Sequence, residues 1–96
     1  MNSKLRSGEV DLLCQAILRL KTVEDTYKFL EDILTAAEIQ SIAQRMAVAK
    51  MLDEGQTYED IARLTGASSA TISRVKRSLS FGADGYRLVL DRIKKP

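Results

Sequence analysis

The chain has no histidine, one cysteine and one proline, and each scarcity closes off a class of chemistry or fold. Without histidine no imidazole is present to activate Cys14 as a nucleophile. One cysteine makes no internal disulfide. Lying in the apolar run Val10, Leu12, Leu13, Cys14, Ala16, Ile17, it reads as a small buried hydrophobe. The only proline is Pro96, so no interior helix is broken by a missing backbone donor. No window approaches the roughly 18 apolar residues that cross a bilayer. The opening Met-Asn-Ser-Lys-Leu-Arg lacks the apolar stretch and small-residue cleavage site of a leader, so the expected location is the cytoplasm. A Gly-rich phosphate loop and a metal-ligand cluster of Cys, Asp or Glu are also missing. Glu24, Asp25, Glu31 and Asp32 are neighbours in sequence, but they suit capping and solvation of a short amphipathic helix. No catalytic residue, metal site or cofactor is expected, and the chain does not read as an enzyme.

What is present is ordinary globular composition: 45% apolar and 29% charged over 96 residues. A single chain of this size buries only about 60–65% of the surface its unfolded form exposes, so a partner subunit would help it. The net charge of +2 is unevenly spread. Residues 1–56 carry seven bases and nine acids, whereas residues 57–96 carry eight bases and four acids. Between Gly66 and Leu79 stand Arg74, Lys76 and Arg77 with no acid among them. Contact with phosphate needs such a segment, because each neutralised phosphate releases counterions. A solvated helix face has the same composition, so charge alone decides nothing.

The pattern is helical throughout, with no sustained alternating run of β-branched residues. Three helix starts are marked by a threonine followed three residues later by an acid: Thr22 with Asp25, Thr35 with Glu38, and Thr57 with Asp60. The shorter Asp reaches back to the cap amide less well than Glu. Six helices follow, over about 9–20, 23–32, 36–54, 58–65, 69–79 and 86–93. Val10, Leu13, Ile17 and Leu20 line one face of the first. The third is apolar at Ile39, Ile42, Ala43, Met46, Ala47, Ala49, Met51 and Leu52, which is wider than one stripe and predicts burial on more than one side. Gly55 ends it. The last presents Leu88, Val89, Leu90 and Ile93.

Residues 57–77 meet the demands of a helix-turn-helix, two short helices joined by a tight Gly-containing turn. Ala62 is small where the helices approach, and Gly66, four residues on, allows the reversal. Ile61, Ala67, Ile72 and Val75 are the expected apolar pins; Ile72 and Val75, three apart, share a face. The opposite face presents Ser69, Ala70, Ser73, Arg74 and Arg77, flanked by Thr71 and Lys76. Hydroxyls bond bases or phosphate, alanine or a threonine methyl touches a thymine methyl, and arginine grips guanine through two hydrogen bonds. Ser68 or Ser69 caps the helix, leaving amides that hold a phosphate. The expected DNA-contacting residues are therefore Thr57, Ser68, Ser69, Ala70, Thr71, Ser73, Arg74, Lys76 and Arg77. An ordinary helical hairpin with a solvated outer face is the blander reading, and it does not explain the agreement of all these features over twenty residues.

From Ile33-Leu34-Thr35 through Arg74-Val75-Lys76-Arg77-Ser78-Leu79 the sequence resembles the Trp repressor family. More closely, it resembles the YerC/YecD group of Trp-repressor-related proteins. The carrying residues are Leu34-Thr35-x-x-Glu38, Arg45, Gly55, and Gly66-Ala67-Ser68-Ser69-Ala70-Thr71-Ile72-Ser73-Arg74. The resemblance implies an all-α, six-helix Trp-repressor-like fold, as an intertwined homodimer with two reading heads. Such a dimer meets double-stranded DNA at half-sites about 34–36 Å apart. It implies one domain over residues 1–96, with a dimerisation core over about 1–55, the helix-turn-helix over about 57–79 and a C-terminal helix over about 85–94. A nucleoid-associated location goes with DNA binding.

In the family's repressor, tryptophan sets the angle of the reading head. By resemblance Thr35, Arg45, Arg74, Val75 and Ser78 are the matching ligand-pocket positions. Val75 departs from the pattern, which has glycine there, and its branched side chain intrudes on the space for an indole ring. The stretch from Gly55 to Gly66 is also one residue shorter than its counterpart. The expectation is a repressor whose DNA binding requires no tryptophan, with another small effector left open. The alternative from a different class is a helical dimeric adaptor that binds another protein, for which Leu88 and Val89 are the hint.

Overall fold

The structure, a computed structural model, describes residues 3–95; Met1, Asn2 and Pro96, the chain's one proline, lie outside the described residues. A short 3-10 turn, Ser3–Leu5, precedes six helices: α1 (Gly8–Leu18), α2 (Val23–Ile33), α3 (Ala36–Asp53), α4 (Tyr58–Thr65), α5 (Ser69–Phe81) and α6 (Gly85–Lys94). Among the described residues there is no strand, so the fold is all-α. Among the described residues no helix is long and apolar enough to cross a membrane.

The threonine starts form as the sequence predicts. Thr22 Oγ1 accepts from the Asp25 amide at 3.0 Å, and Thr57 Oγ1 from the Asp60 amide at 3.1 Å. Only at Thr35 is the reciprocal half recorded among the described residues. There Oγ1 accepts from Glu38 N at 3.2 Å while Glu38 Oε1 accepts from Thr35 N at 2.9 Å. That second bond holds the Glu38 carboxyl below its usual range. Glu supplies the reach that Asp lacks. A fourth start, Ser7, caps α1 by accepting from Val10 N at 3.2 Å.

Two ends differ from the expected limits by two residues, the others by one at most. α1 stops at Leu18, two residues early, where the Arg19 amide donates back to Ala16 and Ile17. α5 runs on to Phe81 because Gly82, not Ser80, terminates it, its amide donating to Ser78 O at 2.9 Å. Asp84 then takes up the left-handed backbone, at φ 65°, just before α6.

The chain divides into two compact units between Ile39 and Gln40. In the first no described residue is fully buried. Leu12, Leu13, Ile17, Leu18, Val23 and Tyr27 are all exposed, and Leu18 reaches 76%. Cys14 is exposed too, contrary to its sequence reading. Leu12, Leu13 and Ile17 beside it in the apolar run are exposed as well.

The second unit holds the core: Val48 and Ala49 of α3, Ile61 of α4, Ala67, Ile72 and Val75 of the turn and α5, and Leu90 of α6. Met46, Met51, Leu52, Ala62, Leu79 and Tyr86 pack around them. The four apolar pins expected of the helix-turn-helix are all in this core. Of the four residues expected on α6, only Leu90 is; Leu88, Val89 and Ile93 are exposed.

A polar clamp closes the far end of this unit. Asp53, in the last position of α3, would face the negative end of its own helix. Two α6 cations offset this: Arg87 at 2.8 Å and Lys94 at 2.5 Å. The Asp53 side chain is only 10% exposed. Arg87, then Lys94, lowers its pKa to about 2. Arg87, shared with Asp91 at 3.3 Å, is in turn raised above its usual value, chiefly by Asp53.

Candidate nucleic-acid interface

The reading head is built from the turn outward. Gly66 has φ 73° and ψ 6°, a left-handed conformation that L side chains rarely adopt, and its amide donates to Ala62 O at 2.9 Å. A Cβ there would meet open space, so backbone conformation rather than crowding calls for glycine. Thr65 secures both sides of the turn. Its hydroxyl donates to Ile61 O at 2.6 Å and accepts from Ala67 N at 3.1 Å. Its carbonyl accepts from Gln44 Nε2 of α3 at 3.1 Å.

Beyond the turn, Ser68 caps α5. Its Oγ accepts from Thr71 N and donates to Thr71 Oγ1, both at 3.1 Å. With Ile72 and Val75 turned into the core, the remaining face of α5 is fixed by helical geometry. Ser69, Ala70, Ser73, Arg74, Lys76 and Arg77 are exposed, and Thr71 is half-buried. From Ser69 to Arg77 this face rises about 12 Å at 1.5 Å per residue. Short side chains occupy its amino-terminal half and cations its carboxyl-terminal half.

Among the described residues none of these three cations forms an ion pair, whereas Arg63 on α4 is paired with Asp60 at 3.4 Å. The first turn of α5 has no acid, while that of α4 has Glu59 and Asp60. A free cationic end, an uncrowded helix start and exposed hydroxyls can bond phosphate and base edges. Thr57 stands exposed before α4, with its hydroxyl engaged as the cap.

The five ligand-pocket positions divide between the two units. Thr35 lies in the first unit, its hydroxyl used in the cap of α3. Arg45 and Arg74 are exposed on α3 and α5. Val75 is 3% exposed, packed among core residues. Ser78 lines an open apolar groove of about 540 Å³ with Met46, Gly82, Ala83, Gly85, Tyr86 and Val89, and the other four do not. Sequence reasoning had no role for Gln44 and Asp53. Their only sequence signal is a polar residue set beside the apolar positions of a long core helix.

The comparisons with known proteins agree with this architecture. The family model described as Trp repressor protein matches residues 8–94. YerC of Bacillus subtilis is 55% identical over 92 residues, which cover 96% of this chain and 88% of that protein. The crystal structure of a TrpR-like protein from Eubacterium eligens superposes with a TM-score of 0.93 at 54% identity, covering 98% of this chain and 97% of that one. A candidate Trp repressor from Staphylococcus aureus gives 0.93 at 49% identity, over 100% and 97% of the two chains. Matched in sequence and backbone course over nearly its whole length, the chain belongs to the Trp repressor family.

Proposed function

We propose that the protein is a sequence-specific DNA-binding transcriptional regulator, a repressor, that acts as a homodimer through α4 and α5. The observation that carries this reading is the free face of α5. Four apolar pins anchor one side of the head, and the other side offers Ser69, Ala70, Ser73, Arg74, Lys76 and Arg77 to solvent without competing acids. In this reading Lys76, Arg77 and the helix starts at Thr57 and Ser68 fix the register on phosphates. Ser69, Ala70, Thr71, Ser73 and Arg74 address the major groove.

The dimer is supported by the first unit. Its exposed leucines, isoleucines and valine form an apolar surface of the kind that monomers rarely leave in water. Two chains covering one another would bury it, and would present two α5 helices to a site with twofold symmetry. Tryptophan is not required in this reading. The buried Val75 side chain fills interior space beside Arg74, where the family's repressor has glycine.

Selection from a random DNA pool, with and without amino acids, tests the proposal. The expected product is one palindrome, enriched equally in both conditions by a species of twice the 10.7 kDa chain mass in sedimentation. Enrichment of no sequence would sink the DNA reading and favour a helical adaptor for another protein. Enrichment only with tryptophan would sink the effector-free part.

A further inference from the structure

Only one side-chain hydrogen bond recorded among the described residues ties α3 to the turn between α4 and α5: Gln44 Nε2 to Thr65 O. It joins residues 21 apart in sequence and is partly buried. Its acceptor belongs to the residue that organises the whole turn. Thr65 also bonds back to Ile61 O and forward to Ala67 N, and Gly66 N closes on Ala62 O. Ile61 and Ala67, at the two ends of this lattice, are both core residues. The apolar pins resist withdrawal of the head from the core, but they are non-directional and tolerate small rotations. A hydrogen bond to a carbonyl has a preferred line.

We propose that Gln44 is the positioning residue of the reading head, fixing the turn to α3 so that α5 is held at one pitch without a bound effector. This rests on the DNA-binding reading above. The side chain touches no DNA itself; it limits the range of angles over which α5 meets the groove. A free chain held this way has its binding-competent state already populated and loses no affinity to a prior ordering step.

The test uses the full chain with Gln44→Met, which keeps the length of the side chain and removes the donor, and Gln44→Glu, which puts a carboxylate against the carbonyl. Lys50→Ala, on the exposed part of the same helix, is the control. Hydrogen exchange of the free protein is expected to accelerate about two- to tenfold at Gly66 and Ala67 in both Gln44 variants, the range that one partly buried hydrogen bond supports. The core amide of Ile72 should keep its protection. Affinity for the selected palindrome is expected to fall by the same factor, with an unchanged salt slope because no phosphate contact is lost.

A merely structural role would instead lower protection throughout the second unit together with Tm, and leave affinity intact wherever the chain stays folded. That pattern overturns the proposal, as does unchanged exchange at Gly66 and Ala67, or faster exchange there with unchanged affinity. If the wild-type chain enriches no DNA at all, the DNA reading fails separately, and the exchange measurement still decides whether Gln44 holds the turn.

Discussion

Arg74 and Lys76 are two positions apart on α5, both exposed and both without an acidic partner among the described residues, yet different jobs are expected of them. Arg74 follows Ser73 and Ala70 along the face of short side chains, so its guanidinium can reach a base edge and make two bonds to one guanine. Lys76 flanks that face and presents a point charge to phosphate. Arg74→Ala is therefore expected to relax base preference at one position of the half-site, a change of about 1–3 kcal/mol in discrimination. Lys76→Ala should weaken all sequences alike and reduce the salt slope by about 1. Titration of both variants against the selected site and a scrambled one, at two salt concentrations, separates these outcomes. A uniform loss from Arg74→Ala removes it from base reading.

Helices α5 and α6 are joined by a turn whose geometry depends on Gly82. A Cβ on that residue would stand 2.3 Å from the carbonyl oxygen of Ser78, backbone that cannot swing aside as a side chain does. Either the last turn of α5 or the approach to α6 must then open. Gly82→Ala is expected to cost about 1–3 kcal/mol in denaturant unfolding, the usual range for forced overpacking. Asp84, two residues on, has a left-handed φ of 65°, which glycine adopts without strain, so Asp84→Gly should be neutral or mildly stabilising. If Gly82→Ala proves as stable as the wild type, the turn is softer than its geometry implies.

Asp53 and Glu38, whose carboxyls are held below their ordinary values, are expected to make stability fall in acid. Asp53 is held at about 2 against an ordinary 3.8, first by Arg87 and then by Lys94. Its folded value lies below its unfolded one, so its contribution is complete above the unfolded value and is lost as pH falls from about 3.8 to about 2. Glu38, lowered by the Thr35 amide, acts in the same sense. Asp53→Asn is therefore expected to flatten the acid limb of a stability–pH profile, measured by urea unfolding, while leaving the slope above pH about 5 unaltered. An acid limb as steep as in the wild type would show that the clamp adds nothing. The loss falls where α6 meets the end of α3, so α6 should be the first element to fray on acidification.

Much of this protein is readable from short stretches of chain. Helix starts at Thr22, Thr35 and Thr57 follow from a hydroxyl placed three residues before the amide it accepts from. The reversal at Gly66 follows from a backbone conformation that only glycine adopts freely, and the inward side of α5 follows from the three-residue spacing of Ile72 and Val75. The same local patterns did not identify Val48 as one of the most buried residues, nor Leu90 as the single buried member of an apolar quartet on α6. They also left Cys14 inside an expected core, although it is exposed. Periodicity says which side of a helix is apolar, but burial depends on what another element brings to that side. The polar ties between elements are more distant still: Gln44 meets Thr65 across 21 residues, and Asp53 meets Arg87 across 34. Caps and turns were local chemistry, legible in the sequence; the choice of which polar side chain finds which partner was made only when α3, α4, α5 and α6 packed around one core.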